Sequence, residues 1–200
     1  LFVVPTTSGT GSETTAIAVI SDTEKGVKMP FVSYFLMPNA AVLDSRMTLT
    51  LPPHITAMTG MDALTHAVEA FTCLAHNPIS DAYANGAIKK IADNLLNVLD
   101  NPTDADGRLE LAQASTMAGV AFSNAMVGLV HALGHSLGAV CHLPHGLCMN
   151  LFLPYALEFN KDKNGDRIAE LLLPLAGADV YAATPVAQRA DRAIAEIRRM

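Results

Sequence analysis

The chain has no tryptophan, only three cysteines, and 13 lysines and arginines against 19 aspartates and glutamates, a net charge of −6. Each shortage excludes something. A surface short of cations does not suit a binder of nucleic-acid phosphates, which needs a basic face. No apolar run approaches the roughly 20 residues that a helix needs to cross a bilayer, so no membrane span is expected. Cys73, Cys141 and Cys148 are scattered and odd in number. They read as free thiols of a reducing cytosol rather than a disulfide framework, and a cytoplasmic protein is expected. Two phosphate-binding templates are also missing. Thr14 stands where the dinucleotide fingerprint after Gly9 and Gly11 wants glycine, and no Gly-Lys-Ser/Thr of a P-loop occurs.

What is present is a globular composition. Half of the 200 residues are hydrophobic and 16% are charged, enough for one large domain or two small ones. Up to about residue 50 the pattern is strand-like: "LFVVP", "AIAVISD" and "FVSYFLMPNAAVLD" are short apolar or β-branched runs separated by turns. From "LPPHITAMTG" onward it is helical. "MDALTHAVEAFTCL" follows Gly60, and "SDAYANGAIKKIADNLLNVLD" opens with Ser80 or Asp81 as its cap and ends at "NPTDADG". Further helices follow to the end. The expected fold is therefore the end of an α/β unit over residues 1–50, then an all-α domain over 51–200. The first residues, "LFVVP", lack a methionine, and the last, "AIAEIRRM", lack a closing glycine or proline, so a piece of a longer protein is expected.

The segment "HALGHSLGAVCHLPHG" holds His131, His135, His142 and His145 among apolar residues and glycines. His131 and His135 are four apart, so on a helix they share one face. Gly138 and Pro144 are expected to break that helix, which lets His145 sit near the start of the next. A helix N-terminus disfavours imidazolium and keeps such a histidine neutral, as a metal requires. Any one of these histidines could simply be a core residue bonded to a carbonyl. Three together in an apolar setting each need a partner, which favours a shared one. His142 fits neither spacing.

Asp62 and His66 in "GMDALTHAVEAF" repeat the i, i+4 spacing. Taken alone they suit a surface pair; with the histidines they suggest a four-ligand site of one carboxylate and three imidazoles for a divalent metal. Glu69, one turn on, is either a support to a ligand or an ordinary solvated glutamate. "PTTSGTGSETT" has the small residues of a loop that could face phosphate or sugar, although a plain Ser/Thr-rich turn would look the same.

Taken together and in this order, "PTTSGTGSE", "GMDALTHAVEAF" and "GLVHALGHSLGAVCHLPHG" resemble the iron-containing (group III) alcohol dehydrogenases, over residues 1 to about 160. The resemblance implies the end of a Rossmann-like dinucleotide-binding domain followed by an all-helical metal-binding domain, a dehydroquinate synthase-like architecture with the active site in the cleft between them. It implies Asp62, His66, His131 and His145 as metal ligands. His135 becomes the further histidine that relays protons or lines the nicotinamide pocket. Thr6, Thr7, Thr10 and Thr15 become cofactor contacts, and Lys28 a contact to its ribose. The implied cofactors are Fe²⁺, with Zn²⁺ or Ni²⁺ as substitutes, and NAD or NADP. The implied partner is a small alcohol or aldehyde, and the implied assembly a homo-oligomer. Such a metal keeps an open position where an alcohol loses its proton more easily, and the hydride passes to nicotinamide. Phe122 and Val127, before the ligand helix, are candidate substrate walls or core packing. The family's glycine-rich "GGGS" segment belongs upstream of Leu1 and is absent from this sequence. Two alternatives stand beside this reading: a zinc-dependent polyol dehydrogenase of the same fold, and a non-catalytic metal-binding helical fragment.

Overall fold

A computed structural model describes residues 1–22, 24–25 and 27–200. The strand-like region yields β1 (Phe2–Val3), β2 (Ile17–Asp22), β3 (Val27–Val32) and β4 (Ala40–Ala41). β1 pairs with β4 in parallel, Phe2 opposite Ala40, and β2 pairs with β3 as an antiparallel hairpin running from Ile17 opposite Val32 to Asp22 opposite Val27. The Asp22 carboxylate closes the hairpin by accepting from the backbone N–H groups of Glu24 and Lys25, at 3.1 and 3.0 Å. Among the described residues, the strands of the first 50 form these two small pairs.

Seven α-helices follow among the described residues: α1 (Pro53–Thr72), α2 (Pro78–Asp100), α3 (Ala105–Ala125), α4 (Leu129–Cys141), α5 (His145–Glu170), α6 (Leu172–Ala183) and α7 (Arg189–Arg199). α1 starts at Pro53, inside the stretch expected to be helical from "LPPHITAMTG" onward, and a proline at the first helical position gives up no hydrogen bond. Two other boundaries differ from expectation. α2 is capped by Asn77, not by Ser80 or Asp81. The Asn77 side chain accepts from Ile79 and Ser80 N–H while the Ser80 hydroxyl accepts from Asn77 N–H, a reciprocal box with Pro78 inside it. Gly138 does not break α4. The helix absorbs it and ends at His142, whose φ of 54° is left-handed, with Pro144 just before α5.

α1 lies at the centre, packed on α2, α3 and α5. Its Leu64, Ala67, Val68 and Ala70 are fully buried, which suits a helix that is apolar on several sides. α3 is lined with small buried residues (Ala114, Ser115, Ala118, Ala121) that let its neighbours come close. One close backbone approach is at Gly119, against Gly11 of the Ser/Thr-rich loop. Gly11 has a φ of +58°, and a Cβ on it would lie 2.6 Å from Gly119 Cα and from Ser115 O, so only glycine fits. Between α3 and α4 the chain bends by 107° at Met126, whose φ of 72° and ψ of 177° belong to a region otherwise left to glycine. That bend brings the first turn of α4 against α1, and α4 then packs on α5 and β3. No single helix among the described residues is long and apolar enough to cross a membrane.

Arg108 ties these helices to the preceding loop. It is 2% exposed and donates to Pro102 O at 2.7 Å, Thr56 Oγ1 at 3.2 Å and Leu51 O at 3.3 Å. Replacing it leaves acceptors unpaired in a buried space. Arg108→Ala is expected to lower stability by about 2–4 kcal/mol, read as a fall in the urea midpoint with an unchanged m-value.

Candidate metal centre

α1 presents Asp62, His66 and Glu69 along one buried side, 3%, 6% and 5% exposed. The i, i+4 and i, i+3 steps put the three in line, and they are not a surface pair. α4 contributes His131, 3% exposed, in its first turn, and α5 contributes His145 as its first residue. One ligand atom from each of Asp62, His66, His131 and His145 can be chosen so that all four lie within 4.8 Å of one another. His145 Nε2 is 3.3 Å from Asp62 Oδ1, and His131 Nε2 is 3.0 Å from His66 Nε2. Three helices thus bring four donors to one point.

The polar atoms of this cluster are incompletely partnered by protein. Apart from the 3.3 Å approach of His145 Nε2, Asp62 Oδ1 has no hydrogen-bond partner, and His66 Nδ1 and His145 Nδ1 are buried with none. Leaving such atoms bare costs free energy, and one carboxylate with three imidazoles is a donor set that suits a divalent ion. The residues therefore fit a metal. The spacing alone left His131, His135 and His145 equally eligible; the bend after α3 and the break at Pro144 select His131 and His145. His135, one turn beyond His131, stands beside the group. Its ring centroid is 5.6 Å from that of His131 and 5.1 Å from that of His145, and it is half-buried.

Glu69 is no solvated glutamate. Its Oε1 accepts from Val130 N–H at 2.6 Å and its Oε2 pairs with His131 Nδ1 at 2.5 Å. Phe122 stacks on the His66 ring, centroids 4.5 Å apart, and His131 stacks on it also at 4.5 Å. Phe122 thus supports a candidate ligand directly. Val127 is half-buried in the α3–α4 turn, and His142 is exposed at the end of α4, outside the group. Gly146 seats α5: a Cβ there would lie 2.3 Å from Met58 O, so a side chain would push His145 away from Asp62.

The other expected residues lie around this centre. Lys28, on β3, reaches over α4. Its Nζ would be 3.5 Å from a Cβ on Gly138, and the two line a cleft of about 310 Å³ with Ser21, Asp22, His142 and Leu143. Thr6 and Thr10 are exposed and Thr7 is half-buried. Thr15 differs: it is 3% exposed, with its hydroxyl near Ser12 O (3.3 Å) and Ile17 O (3.5 Å), so it is spent on the loop's own fold. Two loop anchors were not legible in the sequence. Glu13 accepts from the Thr116 hydroxyl at 2.6 Å, and Gly11 N–H donates to Ser115 Oγ at 3.1 Å, fastening the loop to α3. Only an acid among small residues hinted at the first.

Burial governs the charges here. It pushes His66 down to about 4, against the opposing pull of Asp62. For Asp62, burial pushes the carboxyl up, but His66, His145 and His131 outweigh it and leave it below the usual carboxylate range. Burial, with His145, His131 and Lys28 nearby, pushes His135 down to about 4 as well. Both histidines are neutral in the folded metal-free protein while their unfolded counterparts, at about 6.5, take up protons. The unfolded state then binds more protons between about pH 6.5 and 4, so stability falls as pH falls through that window. The urea midpoint of metal-free protein is expected to be lower at pH 4.5 than at pH 7, with a smaller drop in His66→Gln. A midpoint that does not change with pH in wild type contradicts this account.

Known proteins share this arrangement of chain. A family model described as "Fe-containing alcohol dehydrogenase family, C-terminal" matches residues 56–200, and one described as "Iron-containing alcohol dehydrogenase" matches residues 1–45. The NADPH-dependent butanol dehydrogenase of Clostridium saccharobutylicum is 41% identical over 168 residues, covering 84% of this chain and 43% of that protein. The NAD-dependent methanol dehydrogenase of Bacillus methanolicus is 39% identical over 196 residues, 98% of this chain and 51% of that protein. The solved alcohol dehydrogenase from Oenococcus oeni superposes with a TM-score of 0.93 at 37% identity, over 100% of this chain and 51% of that one. The chain spans about half the length of the relatives it matches.

Proposed function

The chain belongs to the iron-containing alcohol dehydrogenase family, and from that premise we propose that it carries the metal centre of an NAD(P)-dependent oxidoreductase for primary alcohols and their aldehydes. The observation that carries this reading is the convergence of Asp62, His66, His131 and His145, with donor atoms within 4.8 Å. Those four would hold the metal, Fe²⁺ in the cell, with Zn²⁺ or Ni²⁺ able to replace it after purification. Held there, the metal would supply a Lewis acid to ease loss of an alcohol's proton or polarise a carbonyl, and NAD(P) would supply the hydride acceptor or donor.

The chain's own residues set the conditions for that chemistry. Glu69 and Phe122 hold His131 and His66 in place, so the ligand atoms are positioned before anything binds. His135 is neutral in the physiological range and adjoins His131 and His145, where a ring nitrogen can accept a proton from substrate or pass it outward. Residues 1–50 form the end of the cofactor-binding domain and residues 51–200 the helical one. Thr6, Thr7, Thr10 and Lys28 would contact NAD or NADP, and Thr15 holds the shape of the loop that carries the three threonines. The working form is a cytoplasmic homo-oligomer.

Separate measurements of metal and turnover on the full-length protein test the assignment. His131→Ala is expected to lose most bound metal, because three ligands chelate less well than four. His135→Ala is expected to keep its metal and lose turnover, followed as nicotinamide absorbance with a primary alcohol. Equal metal loss in the two variants places the boundary between ligand and proton carrier wrongly. Stripped protein should recover activity with iron loaded anaerobically; equal recovery with zinc refutes the iron assignment, and full activity without metal refutes the mechanism.

A further inference from the structure

Glu69 lies outside the four-donor group, yet it is almost fully buried and makes two short bonds across to α4. Both partners are nitrogens. One is the backbone N–H of Val130, the second residue of α4, which can only donate. The N-cap of α4 is Gly128, which has no side chain to cap with, so Glu69 Oε1 caps the helix from another one. The space is cut to fit: a Cβ on Gly128 would come within 3.1 Å of the same oxygen. The other partner is His131 Nδ1. A carboxylate facing an imidazole nitrogen makes that nitrogen the donor, which leaves the lone pair on Nε2, the atom turned toward His66 Nε2 at 3.0 Å.

We propose that Glu69 is the positioning residue of the metal centre: one buried carboxylate that caps α4 and at the same time locks His131 in the Nδ1–H tautomer, so that Nε2 is free to bind metal. The assignment rests on the metal reading above. It requires a carboxylate specifically, because two donors need two acceptor oxygens. An amide of the same shape has one oxygen and one NH₂. If that oxygen serves Val130, the NH₂ meets His131 Nδ1, which must then accept, and the proton moves to Nε2 where the metal belongs. If the oxygen serves His131, two N–H groups collide at the start of α4. Glutamine cannot satisfy both.

The test is zinc affinity by chelator competition on the full-length protein for wild type, Glu69→Gln and Arg108→Ala. Arg108→Ala is the control, since it weakens the fold without a bond to the site. Glu69→Gln is expected to bind zinc about 10–100-fold more weakly, with Arg108→Ala close to wild type. Zinc binding by Glu69→Gln as tight as wild type overturns the assignment, and so does an equal loss in Arg108→Ala, which would make the effect one of general stability. Wild type that binds no zinc refutes the metal reading and this assignment with it. Should Glu69→Gln fail to fold, ¹⁵N spectra of the histidine rings in metal-free wild type decide: a proton on His131 Nδ1 supports the assignment, and a proton on Nε2 refutes it.

Discussion

Everything at the centre depends on burying charge and imidazole along one side of a core helix. Asp62, His66 and Glu69 share one side of α1, while Leu64, Ala67 and Val68 bury the opposite side. A carboxylate taken out of water is tolerated only if donors follow it. Two helix starts supply them. The first turn of α4 brings the Val130 N–H and the His131 ring to Glu69, and α5 opens with His145 beside Asp62. The polar groups and the helix ends are therefore one construction. Moving either helix start strands a buried charge.

The chain between the helices is shaped to make this possible. Two non-glycine residues with left-sided φ, Met126 and His142, bound α4. Such conformations cost about 1–3 kcal/mol each and persist only where the surroundings hold them. Here they set the direction from which His131 and His145 reach α1. The Ser/Thr-rich loop is held by the same economy of space. Gly11 lies on Gly119, Glu13 bonds Thr116, and the exposed Thr6 and Thr10 are carried on an anchored base rather than a loose one.

Much of this was legible in the sequence. The i, i+4 pairs, Asp62 with His66 and His131 with His135, are a local property of any α-helix, so each pair follows from spacing alone. The change from short strands to helices near residue 50 and the run of helices after it follow from hydrophobic periodicity in the same way. The cap at Asn77 was missed because asparagine, serine and aspartate signals compete over a few residues, and the outcome depends on which side chain reaches the free N–H groups.

Sequence by itself thus determined the elements, the residue types able to hold a divalent cation, and the family, since these depend on composition, spacing and motif order. Tertiary structure decided which histidines meet. His131 and His135 are equivalent by spacing and are set apart in the sequence only by family resemblance; the contact of the first turn of α4 with α1 puts the one against His66 and leaves the other beside it. It also decided that Glu69 is buried and bonded, that Thr15 is turned into its own loop, and that Glu13 anchors that loop to α3. Each of these is a contact between residues far apart in the chain, and no local rule reaches that far.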